Sequence, residues 1–316
     1  MAGTPIAAAP PPAGGVKTRA AALSIASNSM LIVLKIAAGA ITGSVAIITE
    51  AMHSSVDLIA SVVAYVSVRT ADKPADDDHP YGHDKIENLA AAIEALLILV
   101  GSGVIVFESV RRLASGAGVS SLGIGIAVIA ISVVANLVVS TVLARRARET
   151  DSPALEGDAA HLRTDAATSA AVLAGLVVVQ VTGARWLDPV IALAVAAAIV
   201  YTGIKLLMRA SRVLVDEALP QEELDAVRTA IEELAPRGVC GYHKLRARRA
   251  GSRRYVDLHV QFVAGTTLEA AHETAHELQD AIQARLRGAD VLIHLEPEAS
   301  VKPGDELAPR SVSAAG

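Results

Sequence analysis

The sequence predicts an α-helical polytopic membrane domain followed by a small water-soluble α+β domain. Of the 316 residues, 52% are hydrophobic and only 19% are charged, which is unusual for a soluble chain. Apolar stretches of about 20 residues, long enough to span a bilayer, recur until a charged, amphipathic pattern begins after residue 216. We therefore expect a transmembrane domain at 17–212, a soluble domain at 213–299, and disordered tails at 1–16 and 300–316.

Six apolar stretches are candidate transmembrane helices. They lie near residues 20–41, 44–68, 86–110, 120–144, 158–182 and 187–208. Most basic residues flank them on one predicted side of the membrane, at Lys17, Arg19, Arg69, Lys73, Arg145, Arg146, Arg148, Arg209 and Arg212. By the positive-inside rule, this majority predicts a multi-pass protein of the cell membrane with both termini in the cytoplasm. Arg111, Arg112 and Arg185 fall on the other side.

The soluble segment predicts the order helix, strand, strand, helix, strand. These elements are expected near residues 220–234, 242–248, 254–262, 268–286 and 290–296. The middle strand alternates, with an apolar face formed by Val256, Leu258, Val260 and Phe262. Such an order is typical of a small α+β sheet with its helices on one face. About 80 residues bury only a modest core, so we expect support from a partner subunit.

Net charge and cysteine content argue against a nucleic-acid-binding protein and against a disulfide-rich or cysteine-rich zinc protein. The formal charge of −5 argues against nucleic acid as a partner. The single cysteine, Cys240, excludes an internal disulfide framework and a zinc ribbon with several cysteines.

Two His-x-x-x-Asp pairs, His53 with Asp57 and His161 with Asp165, lie within the apolar stretches. Four residues on a helix place each histidine and its aspartate on one face. Charged groups at bilayer depth cost roughly 2.5–3.5 kcal/mol each and commonly mark ion sites. Two such faces together offer two nitrogens and two oxygens, a tetrahedral set that suits zinc. Polar packing between helices is the alternative interpretation.

The remaining histidines fall outside the predicted spans, in two groups. Asp76, His79 and His83 lie in an acidic loop, where a surface turn without metal is the alternative. The soluble domain carries His243, His259, His272, His276 and His294. Glu296 shares a strand face with His294. Solvated surface histidines are the alternative for this second group.

Some of these candidate metal ligands also fit two other functions, a metalloprotease and a metal-gated channel. His272, Glu273 and His276 match the H-E-x-x-H pattern of a zinc metalloprotease, in which the glutamate is the general base. Against this, the domain is small for a peptide cleft, and the intramembrane pairs are left unexplained. A metal-gated channel would use the intramembrane ligands, but a four-ligand site binds too tightly for rapid conduction.

Five segments of the chain are distinctive in combination: SVAIITEAMHSSVDLIASV, DDDHPYGHDKIENLAA, HLRTDA, VDEALP and DVLIHLEPE. Together they resemble the cation diffusion facilitators, in particular their bacterial zinc-exporting branch, and the resemblance extends over about residues 17–298. It implies a homodimer with six membrane helices per subunit and a cytoplasmic ferredoxin-like domain. It also implies a secondary transporter, not an enzyme, that exports divalent cations in exchange for protons and needs no catalytic cofactor.

The resemblance also implies roles for individual residues. His53, Asp57, His161 and Asp165 match the transport site, and Asp76, His79 and His83 match a loop site. A binuclear cytoplasmic site is matched by His243, His259, His272, His294 and Glu296. Lys85 and Asp216 match a salt bridge at the membrane interface. Bacterial zinc exporters often carry aspartate in place of His53, and aspartate is common in place of Glu296. An imidazole at position 53 softens the transport site and favours zinc over manganese or magnesium.

Overall fold

The computed structural model describes residues 14–42, 45–115, 123–182 and 187–300, which belong to two compact units divided between Leu214 and Val215. The described part of the N-terminal unit consists of six long helices. Their bounds are α1 Gly14–Thr42, α2 Val45–Ala71, α3 Lys85–Ser115, α4 Gly123–Thr150, α5 Pro153–Thr182 and α6 Leu187–Leu214. All six exceed the roughly 20 residues that a membrane span requires.

Among the described residues, four helices contain segments long and apolar enough to cross a membrane. The segments are Gly15–Ala38, Lys85–Arg111, Ala127–Thr150 and Val190–Leu214, in α1, α3, α4 and α6. The predicted helical membrane domain is thereby confirmed. The two other helices, α2 and α5, carry most of the intramembrane acids and histidines.

Small residues bring the membrane helices close together. Alanines such as Ala21, Ala90 and Ala154 are buried where α1, α3 and α5 meet, since small side chains let helix backbones approach. Large apolar side chains such as Met30 and Phe107 instead point outwards and are exposed. This inverted distribution suits a lipid environment.

Polar side chains join α1 to α2 and α5 inside the unit. Asn28 Nδ2 donates to Ser61 Oγ over 2.8 Å, and Ser61 Oγ donates to Asp158 Oδ1 over 3.2 Å. All three residues are buried. Because lipid offers no hydrogen bonds, such groups must find partners within the protein.

A buried ion pair connects α1 to α3. Lys17 Nζ donates to Glu87 Oε1 over 2.7 Å, and both side chains are almost completely inaccessible. Ser152 Oγ, just before α5, donates to the other carboxylate oxygen of Glu87. Glu87 therefore holds together three segments that are distant in sequence.

The C-terminal unit contains two helices and a three-stranded sheet. Its elements are α7 Gln221–Glu233, β1 Val239–Ala250, β2 Arg253–Phe262, α8 Leu268–Arg285 and β3 Ala289–Pro297, with short 3₁₀ turns at Ala235–Arg237 and Glu298–Ser300. The strand order is β1-β2-β3, antiparallel between β1 and β2 and parallel between β2 and β3. The predicted α+β order of elements is confirmed.

The apolar face of β2 forms the centre of this unit's core. Val256, Leu258, Val260 and Phe262 are all buried against α7 and α8. The opposite face is less open than strand alternation predicts, because Tyr255 and Gln261 are buried as well. Gln261 Nε2 donates to the carbonyl of Ser300, and the Arg248 guanidinium lies 5.0 Å from the centre of the Tyr255 ring.

Candidate metal centres

The first candidate centre lies inside the membrane unit, between α2 and α5. His161 Nε2 is 3.4 Å from Asp57 Oδ1 and 3.7 Å from Asp165 Oδ2. Asp57 and His161 are buried, and Asp165 is partly buried. One nitrogen and two carboxylate oxygens thus converge within 4.8 Å of one another. Imidazole with carboxylate is a donor set that zinc accepts.

Helix geometry and helix packing together build this group. His161 and Asp165 are four residues apart on α5 and share a face, and packing of α2 on α5 brings Asp57 to the same point. His53 precedes Asp57 by about one turn of α2. Its side chain lies outside the described residues, so its place in the group stays a prediction.

Two further acids approach this group and were not singled out from the sequence. Glu94 on α3 is fully buried, with Oε2 4.0 Å from Nδ1 of His161, and Asp158 lies buried on α5. Glu94 is the only charged residue between Glu87 and Glu108 in the sequence. A lone acid in an apolar stretch is a signal that could have identified it.

The second candidate centre is the loop between α2 and α3. Asp76 Oδ1 lies 3.1 Å from His79 Nδ1, and Asp76 Oδ2 lies 3.2 Å from His83 Nε2. Desolvation raises the pKa of Asp76, but the hydrogen bond from the His79 backbone N–H and the nearby imidazoles outweigh it and lower the pKa overall. The structure therefore brings the three predicted loop residues together.

The third candidate centre lies on the sheet of the C-terminal unit. Strand register places His243 opposite His259, and His259 opposite His294. A bulge follows His243, where Lys244 has a φ of 50°. Neighbouring ring centres are 5.0 Å and 4.5 Å apart. Three histidines distant in sequence thus form one row across the sheet.

Glu296 completes this row. Its carboxylate lies 2.9 Å from His243 Nε2 and accepts a hydrogen bond of 2.7 Å from His259 Nδ1. That bond lowers the pKa of Glu296, so the carboxylate is ionised at neutral pH. His294 Nε2 is 4.0 Å away, and its side chain is mostly exposed at the margin of the group.

His272 lies apart from this row in the C-terminal unit. It projects from α8, where its Nε2 is 3.1 Å from Nε2 of His276, and both residues are exposed. His276 Nδ1 is within 2.9 Å of Gln279 Oε1. Participation of His272 in the third candidate centre stays a prediction.

The predicted Lys85–Asp216 salt bridge joins residues of different units and also stays a prediction. Within its own unit, Lys85 Nζ lies 3.5 Å from the carbonyl oxygen of Leu214. Asp216 Oδ1 accepts a hydrogen bond of 2.9 Å from Arg248.

Comparison with known families decides the class of this chain. Residues 21–215 match the cation efflux transmembrane domain, and residues 219–298 match the cytoplasmic domain of cation efflux proteins. The chain belongs to the cation diffusion facilitator family. It is therefore a metal cation efflux transporter and not an enzyme, which excludes the metalloprotease alternative.

Two relatives of this facilitator match nearly its whole length, and a solved structure matches its C-terminal part. An uncharacterized transporter of Synechocystis sp. is 35% identical over 277 residues, which are 88% of this chain and 89% of the relative. The cation-efflux pump FieF of Klebsiella pneumoniae is 32% identical over 294 residues, 91% of this chain and 95% of the pump. The solved Zn form of CzrB is 35% identical, covering 28% of this chain and 98% of that one, with a TM-score of 0.26.

Proposed function

We propose that this transporter exports zinc in exchange for protons, through a site formed by Asp57, His161 and Asp165 together with His53. The observation that carries this proposal is the convergence of an imidazole and two carboxylates inside the membrane unit. Imidazole ligands suit zinc, whereas magnesium and manganese prefer oxygen alone. A fourth ligand from His53 would complete a tetrahedral N₂O₂ set.

The proposed topology has six membrane spans in the cell membrane, with both termini in the cytoplasm. The length of all six helices supports the span count, and the inward position of the polar groups on α2 and α5 explains how these two helices would tolerate them. The basic residues near the helix ends support the orientation.

Proton exchange follows from the chemistry of the ligands. Zinc binds neutral imidazole and ionised carboxylate, so its binding competes with protons at the same atoms. On the outer side, protonation of His161 would repel the metal and release it. Movement of α2 and α5 relative to the other helices would then expose the protonated site to the cytoplasm. The transporter would thus alternate between two states, and zinc and protons would each shift the equilibrium between them.

Zinc and proton fluxes measured together test this function. We expect proteoliposomes containing the protein to take up zinc while protons leave, as reported by a trapped zinc dye and a trapped pH dye. An imposed outward proton gradient should accelerate zinc entry, because protons then reload the site from inside. Protein-free liposomes are the control. Zinc entry with no proton movement would contradict the exchange and favour the channel.

The cytoplasmic unit is proposed to form a homodimer and to bind zinc through His243, His259, His294 and Glu296, with His272 as a further ligand. The small core of this unit and the exposed Leu292 on edge strand β3 support association with a second copy. Zinc binding at this centre would favour one arrangement of the dimer and so make transport responsive to cytoplasmic zinc.

Replacing Glu296 with glutamine tests the cytoplasmic centre. We expect zinc to slow hydrogen–deuterium exchange in β2 and β3 of the full-length protein. In Glu296→Gln, the zinc concentration that gives half of this slowing should rise at least about tenfold. The reason is that a neutral amide replaces the carboxylate that contacts two histidines. Asp290→Asn, which removes an exposed carboxylate from the same strand, should change the midpoint little. Equal midpoints in all three proteins would refute the site.

A further inference from the structure

Glu94 occupies an unusual position for an acidic residue. It lies in the middle of α3, has 0% exposure, and its two carboxylate oxygens accept no hydrogen bond from any group that the structure describes. A buried carboxylate without partners is strongly disfavoured in a low-dielectric interior. The position therefore requires an explanation beyond packing.

Among the described residues, the imidazole of His161 approaches this carboxylate. Glu94 Oε2 lies 4.0 Å from Nδ1, whereas Asp57 and Asp165 approach Nε2 of the same ring. Neither ring nitrogen makes a hydrogen bond within the described part of the chain. The imidazole thus lies between two carboxylates at one nitrogen and a third carboxylate at the other.

Gly157 on α5 allows this approach. A Cβ atom at Gly157 would lie 3.1 Å from Cβ and Cγ of Glu94 and 3.3 Å from Cα of Ala91. These distances are shorter than ordinary contacts between carbon atoms. The glycine therefore lets α3 and α5 meet one turn before His161, which leaves the Glu94 side chain beside the imidazole.

We infer that Glu94 is a positioning residue for the proposed transport site: its carboxylate accepts the Nδ1 proton of His161 and so presents Nε2 to the metal. The inference rests on the proposed function, because it assumes that His161 binds the metal. Metal-binding histidines commonly donate their second ring N–H to a carboxylate, which fixes the tautomer and the ring orientation. A closing movement of about 1 Å brings the present distance into the hydrogen-bond range.

A double-mutant cycle tests the inference in the full-length protein. Asp76→Ala and His243→Ala form the background, so that zinc titration of the purified protein reports mainly the membrane site. Glu94→Leu should lower zinc affinity by about 10–100-fold, the usual effect of losing such a partner. Glu94→Gln keeps an acceptor oxygen and should bind zinc more tightly than Glu94→Leu. In the presence of His161→Ala, Glu94→Leu should change affinity by less than about twofold.

The outcomes separate this inference from the proposed function. The positioning role alone would be overturned if Glu94→Leu lowered zinc affinity by the same factor with His161 present and with His161→Ala. It would also be overturned if Glu94→Gln bound zinc no more tightly than Glu94→Leu. Unchanged zinc affinity in His161→Ala would overturn the transport site and the inference with it. Nitrogen-15 NMR of the zinc-bound wild type adds a readout that needs no folded Glu94 variant. The His161 signals, identified by their loss in His161→Ala, should show zinc on Nε2 and the proton on Nδ1, and zinc on Nδ1 would overturn the inference.

Discussion

Zinc transport is expected to fall at least about 100-fold in Asp165→Ala, while the protein remains folded. The substitution removes one of the two carboxylates that approach His161 Nε2, and loss even of a ligand's hydrogen-bonding partner commonly costs 10–100-fold. Folding should be preserved because a carboxylate at membrane depth is itself costly. Zinc uptake into proteoliposomes, normalised to the amount of inserted protein, measures the effect.

Thr164→Ala is the matched control for this loss of transport. Thr164 precedes Asp165 on α5, and within the described residues its hydroxyl donates to the carbonyl of Ala160 in the same helix. Such back-bonding contributes little to helix stability, so the control should transport zinc at close to the wild-type rate. Transport by Asp165→Ala at the rate of this control would show that the carboxylate is not a ligand.

The second large effect concerns stability: Lys17→Met should lower the free energy of unfolding by about 3–5 kcal/mol. The change leaves Glu87 buried with its charge no longer balanced by the ammonium group 2.7 Å away, a situation with a cost of this order. The remaining bond from Ser152 is a neutral one and offsets only part of the loss. Unfolding of the detergent-solubilised protein, followed by circular dichroism, measures the difference.

Two controls separate loss of the ion pair from general damage to α1. Arg19→Met removes an exposed cation two residues away and should change stability by less than about 0.5 kcal/mol. Lys17→Met combined with Glu87→Leu should regain much of the loss, because apolar residues replace buried ion pairs at little cost. A double variant no more stable than Lys17→Met would show that the cost comes from packing instead.

The features that could be predicted from the sequence are those that lie within one element. Helical spacing alone places His161 and Asp165 on one face, and strand alternation alone predicts the buried face from Val256 to Phe262. The order of elements in the C-terminal unit followed from the same local periodicities. Such patterns require only the geometry of an isolated helix or strand.

Contacts between elements could not be predicted in this way. Glu94 lies beside His161 because α3 and α5 approach closely at Gly157. A contact between two helices at one glycine does not produce a periodic pattern in the sequence. Likewise, Gln261 lies on the face of β2 opposite its apolar side chains, yet it is fully buried and donates a hydrogen bond to the carbonyl of Ser300 in the turn at Glu298–Ser300. The alignment of His243 with His259 depends on a register that includes a bulge.

Metal binding at the centre proposed on β1, β2 and β3 would depend on correct folding of the C-terminal unit. A slip of one residue between neighbouring strands turns every side chain of the shifted strand to the other face. No two of these strands could mispair in that way and still present His243, His259 and His294 on one surface. Metal bound at the proposed centre would therefore mark a newly made domain whose three strands have already paired in the correct register.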